Sequence, residues 1–126
     1  MTPSSLLANT KVAPPYCHRI DADCPLDRWI SYAVKVLRDA GIETYESCQG
    51  GAGHSFAEPT IRFHGPPADG FKALSVATTY GLPVRDLRRS WTVSDGEPVG
   101  PFWELTFRRK PLQRLQREAE RTGRLD

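Results

Sequence analysis

Gly41-Ile42-Glu43-Thr44-Tyr45-Glu46-Ser47-Cys48-Gln49-Gly50-Gly51-Ala52-Gly53-His54-Ser55, followed at a short distance by Thr60-Ile61-Arg62-Phe63-His64, is the stretch on which the fold turns. Ile42 to Ser47 alternates, with Ile42, Thr44 and Glu46 on one side and Glu43, Tyr45 and Ser47 on the other. Thr60 to His64 alternates again, Ile61 and Phe63 inward, Thr60, Arg62 and His64 outward. A period of two is the signature of a strand. Three glycines between the strands let the backbone turn sharply and approach something closely. The glycine-rich loop thus joins a strand to a strand, whereas a phosphate-binding loop joins a strand to a helix.

Upstream stands a helix signal. Asp23 or Cys24 suits the N-cap, Pro25 the first helical position, and Asp27 the positive end of the helix dipole. Leu26, Trp29, Ile30, Ala33, Val34 and Leu37 form one apolar stripe, and Gly41 ends it. Tyr16 to Ile20 reads as a short strand, and residues 1–15 as a flexible arm. Downstream, Gly65-Pro66-Pro67 breaks the chain before a second helix from Ala68 to Tyr80, closed by Gly81. Leu82 to Val84 is a short extended piece, and Ser90 to Ser94 a strand carrying Trp91 and Val93. Asp95-Gly96 is a turn signal, but Pro98, Gly100 and Pro101 lengthen the connection and speak against a tight two-residue hairpin. Phe102 to Phe107 returns with Trp103, Leu105 and Phe107 on the core side. Pro111 opens a terminal helix with a narrow seam of Leu112, Leu115 and Ala119. Trp29, Trp91 and Trp103 all read as core residues.

Strands in adjacent pairs, separated by helices, predict an α+β fold. The expected form is a two-layer sandwich: a mostly antiparallel sheet with two helices on one face and a C-terminal helix added. A ferredoxin-like βαββαβ order fits if Tyr16 to Ile20 is the first strand. The organisation is then an arm at 1–15, one domain at 16–110 and a basic helix at 111–126.

At 126 residues the chain has room for one modest core. A net charge of +2 is too small to argue for nucleic acid by itself. No apolar run is long enough to span a bilayer, and the N-terminus lacks the pattern of a secretory signal. Three cysteines leave at least one unpaired, so the expected setting is cytoplasmic with reduced thiols and no disulfide framework.

The loop admits several chemistries. Amides of Gly50, Gly51 and Gly53 could converge on an anion, with Arg62 pairing and His54 and His64 adding charge. Cys48 could be a nucleophile beside His54 or His64, with Glu46 or Glu58 orienting the imidazole and the Gly50 and Gly51 amides as an oxyanion hole. Cys17, His18, Cys24, Cys48, His54 and His64 include enough soft donors for zinc, but Cys17-x6-Cys24 and Cys48-x5-His54 match no standard module, so no metal ligands are assigned. Cys48 could equally be a core filler in a plain turn. A further basic cluster, Arg108, Arg109, Lys110, Arg114 and Arg117, could hold nucleic acid or an acidic protein, though nearby glutamates balance part of it.

The segment Gly41-Ile42-Glu43-Thr44-Tyr45-Glu46-Ser47-Cys48-Gln49-Gly50-Gly51, with Gly53-His54, Glu58-Pro59-Thr60, Phe63-His64-Gly65 and Asp95-Gly96-Glu97-Pro98-Val99-Gly100-Pro101, resembles small proteins of bacteria and their phages. These carry Gly-Ile-x-Thr-x-x-Ser-Cys-x-Gly after a helix. The resemblance covers about half the chain and implies no mechanism. Ser47-Cys48-Gln49-Gly50 is also similar to a segment of the tRNA wybutosine-synthesis methyltransferase family, from which the loop departs beyond Gly50. The reading that follows is a small domain binding an anionic, phosphate- or nucleotide-like molecule at the Cys48–His54 loop. The alternatives are a cysteine-dependent enzyme and an interaction protein working through its basic helix. No cofactor is assigned.

Overall fold

The alternation across the central stretch builds the sheet. The computed structural model describes residues 17–19, 27–54 and 56–125. Its strands are β1 (Cys17–Arg19), β2 (Thr44–Cys48), β3 (Thr60–Phe63), β4 (Val84–Ser94) and β5 (Glu97–Phe107). They lie in the order β1-β2-β3-β5-β4, and every neighbouring pair is antiparallel. The α+β class is therefore as expected. The ferredoxin-like order is not the one found: β1 and β2 flank the first helix yet pair directly, whereas a split βαβ unit places another strand between them.

A short 3-10 turn (Arg28–Ile30) runs into α1 (Ser31–Asp39); α2 (Pro67–Thr79) and α3 (Arg109–Thr122) complete the helices. Ile61 and Phe63 of β3 and Leu105 and Phe107 of β5 point to one side of the sheet. There they meet Ile30, Ala33, Val34 and Leu37 from the α1 region, Ala73 and Ala77 of α2, and Leu112 and Ala119 of α3 in a single core. The terminal helix is thus part of the sandwich and not a separate appendage, and it starts before the expected Pro111. The expected N-terminal arm and the helix start at Asp23 to Pro25 lie outside the described residues.

Two helix-to-strand joints are built alike. Ile42 N–H donates to Leu37 O and Gly41 N–H to Arg38 O, while Leu82 N–H donates to Ala77 O and Gly81 N–H to Thr78 O. Both are Schellman endings, with the glycine in the left-handed region at φ +90° and +75°. Gly70, the fourth residue of α2, has a packing reason: a Cβ there would collide with the Trp103 indole, on which the helix rests.

Residues 84–107 depart furthest from expectation. β4 is one continuous strand from Val84, so Arg85, Arg88 and Arg89 lie within it. Ser94 pairs with Glu97 across a two-residue turn in which Asp95 and Gly96 take φ +52° and +78°, the type I′ geometry. The hairpin is therefore tight after all. Its prolines are accommodated by a register shift between Ser90 and Thr92 and by the cis Gly100–Pro101 bond. Beyond Ser90 the hairpin leaves the helix layer behind, and Trp91 is 57% exposed instead of buried in the core.

Candidate functional site

Cys48 is the last residue of β2 and is fully buried. The backbone turns directly after it because Gly50 adopts φ +81°, with its α-carbon packed against the chain at Glu58 and Pro59. A Cβ on Gly50 would lie 2.6 Å from both Glu58 C and Pro59 N. The turn brings His54 back over the strand end. Gly51 N–H donates to Ala57 O at 3.0 Å and His54 N–H to Gly51 O at 3.1 Å.

Asp27 reaches the same place from the segment leading into the α1 region. It immediately precedes the 3-10 turn, where Ile30 N–H donates to its carbonyl. Its carboxylate Oδ2 accepts from Gln49 N–H at 3.3 Å and stands 3.9 Å from His54 Nδ1. The Asp27 and His54 side chains are 9% and 8% exposed. One donor atom each from Asp27, Cys48 and His54 lies within 4.8 Å of the others. Donors around tetrahedral zinc sit roughly 3.3–3.6 Å apart.

Gln49 organises this cluster. Its backbone N–H holds Asp27, its side-chain Oε1 accepts from Trp29 N–H at 3.2 Å, and its Nε2 lies 3.4 Å from His54 Nε2. One residue therefore contacts both partners of Cys48 and ties them to the start of the α1 region. Such contacts around a donor set hold its orientation.

The expected thiol state is corrected here: Cys48 is disulfide-bonded, to a cysteine whose side chain lies outside those described. Its Sγ also accepts from Gly50 N–H at 3.4 Å.

Of the residues selected from sequence, Cys48, His54, Gly50 and Gly51 come together, but not in the expected roles. The amides of Gly50 and Gly51 are spent inside the loop, on Cys48 Sγ and Ala57 O. Gly53, at φ +83°, shapes the turn on the exposed side. Arg62 lies on the outer face of the sheet, where its guanidinium bonds Glu104 (2.6 and 2.8 Å) and Glu46 (3.3 Å). Burial disfavours its charge, but the Glu104 hydrogen bond and the two carboxylates outweigh that and raise its pKa.

His64 stacks on Tyr45 at 4.4 Å and meets Phe102 on the same outer face. Thr60 is the residue that pairs with Cys48. Four residues beyond it, just past the end of β3, His64 is roughly 13 Å away, out of reach of the Cys48 sulfur. Glu46 serves Arg62, and Glu58 lies 3.8 Å from Arg85, so neither carboxylate takes the orienting role proposed for it. The sequence reading missed Asp27 and Gln49. Asp27 carried only a helix-dipole signal, and its approach to Cys48 depends on the pairing of distant elements.

Among the basic residues of the C-terminal region, Arg108, Lys110, Arg114 and Arg117 are exposed. Arg109 is partly buried and points Nη1 at Ala57 O in the loop, 3.5 Å away. Arg28 and Arg117 both lie over the Trp29 ring, and Arg28 pairs with Glu120. Among the described residues no helix is long and apolar enough to cross a membrane.

No family model, curated protein or solved structure matches the chain.

Proposed function

We propose that this protein is a metal-binding module, with Asp27, Cys48 and His54 as ligands of a divalent cation. The observation that carries the reading is their convergence within 4.8 Å at a nearly buried strand end. Once its disulfide is reduced, Cys48 can supply a thiolate, which with the Asp27 carboxylate brings two negative charges beside the His54 imidazole, an arrangement that suits a dication and opposes an anion. Sulfur with nitrogen and oxygen favours zinc-like ions over magnesium or calcium, which take oxygen. The anion-binding expectation finds less support, because the loop amides and Arg62 are already engaged within the protein. A nucleophilic role finds less support too, since a fully buried sulfur offers no approach to a substrate.

The test is cobalt(II) binding by the reduced full-length chain, followed by absorption. One ion per chain, with thiolate-to-cobalt absorption and intense tetrahedral bands, is expected. Cys48→Ser should remove the thiolate band, and His54→Ala should weaken binding by at least about tenfold. Because His54 is on the loop, its loss leaves the core intact even if Cys48→Ser folds poorly. Wild-type protein that binds no cobalt, or binds it equally well without His54, would refute the reading.

A further inference from the structure

β4 lies at one end of the described sheet. Among the described residues it pairs with β5 alone, so its other edge carries backbone groups along 84–94 that no described strand meets. A free edge of that length is a template for a further strand. The side chains along it form two unlike halves. Leu87 packs against the core, and the Arg89 guanidinium lies 4.8 Å from the centre of the Trp103 ring. Ser90 pairs with Phe102 but Thr92 with Val99, so the extra residue of that register shift belongs to β5 and β4 keeps its alternation. Trp91 and Val93 therefore follow Leu87 and Arg89 on the helix side of the sheet. They reach past the helix layer and are 57% and 74% exposed.

We propose that a second copy of the chain completes this edge, β4 against β4 in antiparallel pairing, about a two-fold axis that passes Ser90 perpendicular to the sheet. Such an axis keeps both helix layers on one side, and residues directly opposite share a face. Leu87 then stands opposite Val93 of the second copy, Arg89 opposite Trp91, Arg88 opposite Thr92 and Asp86 opposite Ser94. Arg85 comes beside Asp95 of the other turn. The exposed indole meets a guanidinium, a favourable pairing of cation and ring, and the exposed valine meets the rim of a core. The tip of each hairpin lies beside the base of the other copy's β4, where α2 of that copy packs.

Charge selects the register. The edge carries Arg85, Arg88 and Arg89 against one carboxylate, Asp86. An axis at Leu87, Arg88 or Arg89 sets an arginine against an arginine, which is destabilising across a strand pair. An axis at Trp91 sets Leu87 against Asp95 and Arg89 against Val93. An axis at Thr92 shortens the ladder and leaves Leu87 outside it. At Ser90 no charge faces its like, both apolar overhang residues find partners, and the acidic turn of each copy reaches the basic base of the other.

Sedimentation equilibrium of the full-length protein tests this, and a monomer–dimer equilibrium is expected. Trp91→Arg sets an arginine against Arg89 of the second copy and should weaken dimerisation at least about tenfold. Thr92→Arg sets one against Arg88 and should weaken it by about threefold or more. Adding Arg88→Glu to Thr92→Arg should restore most of that loss. Positions 88 and 92 are roughly 13 Å apart within one strand, so the rescue can act only between copies. Arg88, Trp91 and Thr92 are exposed, and these changes leave the core untouched. A wild-type chain that stays monomeric up to roughly millimolar concentration overturns the proposal and leaves the edge to a strand of another protein. A dimer indifferent to Trp91→Arg places the interface elsewhere and overturns it as well. A dimer broken by Thr92→Arg and not restored by Arg88→Glu refutes the Ser90 axis.

Discussion

Gly50 shows how much of the centre rests on a single backbone position. Its φ of +81° lies in the left-handed region, and its α-carbon sits against Glu58 and Pro59, where a methyl group has no room. Any side chain there is opposed twice, by conformation and by collision with main chain that cannot swing away. Gly50→Ala should destabilise the protein by about 2–4 kcal/mol, the left-handed strain plus a forced shift of the loop. Chemical denaturation measures this, and a loss under about 0.5 kcal/mol, the scale of neutral surface changes, would contradict it. The glycine-rich loop was legible as the place of interest because glycine density is a local signal. The ligand set was not. Cys48 and His54 are six residues apart, but Asp27 joins them only through a fold in which the start of the α1 region meets the end of β2.

Among the elements, the start of α1 is satisfied from outside its own sequence. Gln116 of α3, itself buried, accepts from Tyr32 N–H at 3.0 Å and donates to Ser31 Oγ and Glu120. Glu120 also takes both hydrogen bonds of the Arg28 guanidinium, at 2.8 and 2.9 Å. The Arg28 and Gln116 hydrogen bonds hold the Glu120 carboxyl down to about 2, below its usual 4.5. A carboxyl depressed in the folded state binds protons more readily in the unfolded chain. Its stabilisation is present above about pH 4.5 and disappears as pH falls toward 2. Glu120→Gln should therefore flatten the stability-versus-pH curve across that window while leaving its shape above pH 5 unchanged. Thermal melts of both proteins from pH 2 to 7 measure this, and parallel curves throughout would refute it. None of these links had a sequence signal, because a side chain capping another helix from α3 leaves no spacing to detect. The tight β4–β5 hairpin was hidden differently. Pro98 and Pro101 are poor strand residues, and edge pairing with a register shift tolerates them.

At the scale of the whole molecule, the sequence suggested a domain ending near residue 110 with a basic helix attached. Its charge pattern was read correctly, but charge marks only the solvent side of an amphipathic helix. The apolar side of α3 is narrow, and small residues such as Ala119 understate how deeply it is set. Leu112, Gln116 and Ala119 are all buried in the common core or beside it, and Leu115 packs against that core. Removing α3 would expose Ile30 and its neighbours, which meet Leu112 and Ala119 in that core, strip the cap from α1 and unpair Arg28. Burying one leucine contributes about 2 kcal/mol, and the total stability of a domain this size is only about 5–15 kcal/mol. A chain truncated after Arg108 should therefore lose its cooperative unfolding transition. It should also fail to bind cobalt, because Asp27 would no longer be held opposite Cys48. Leu112→Ala, a milder version of the same cut, should cost about 2–5 kcal/mol and leave the fold intact. Calorimetry on both variants decides the matter: a truncated chain that melts as sharply and as hot as the full one would make α3 an appendage, as its sequence alone suggested.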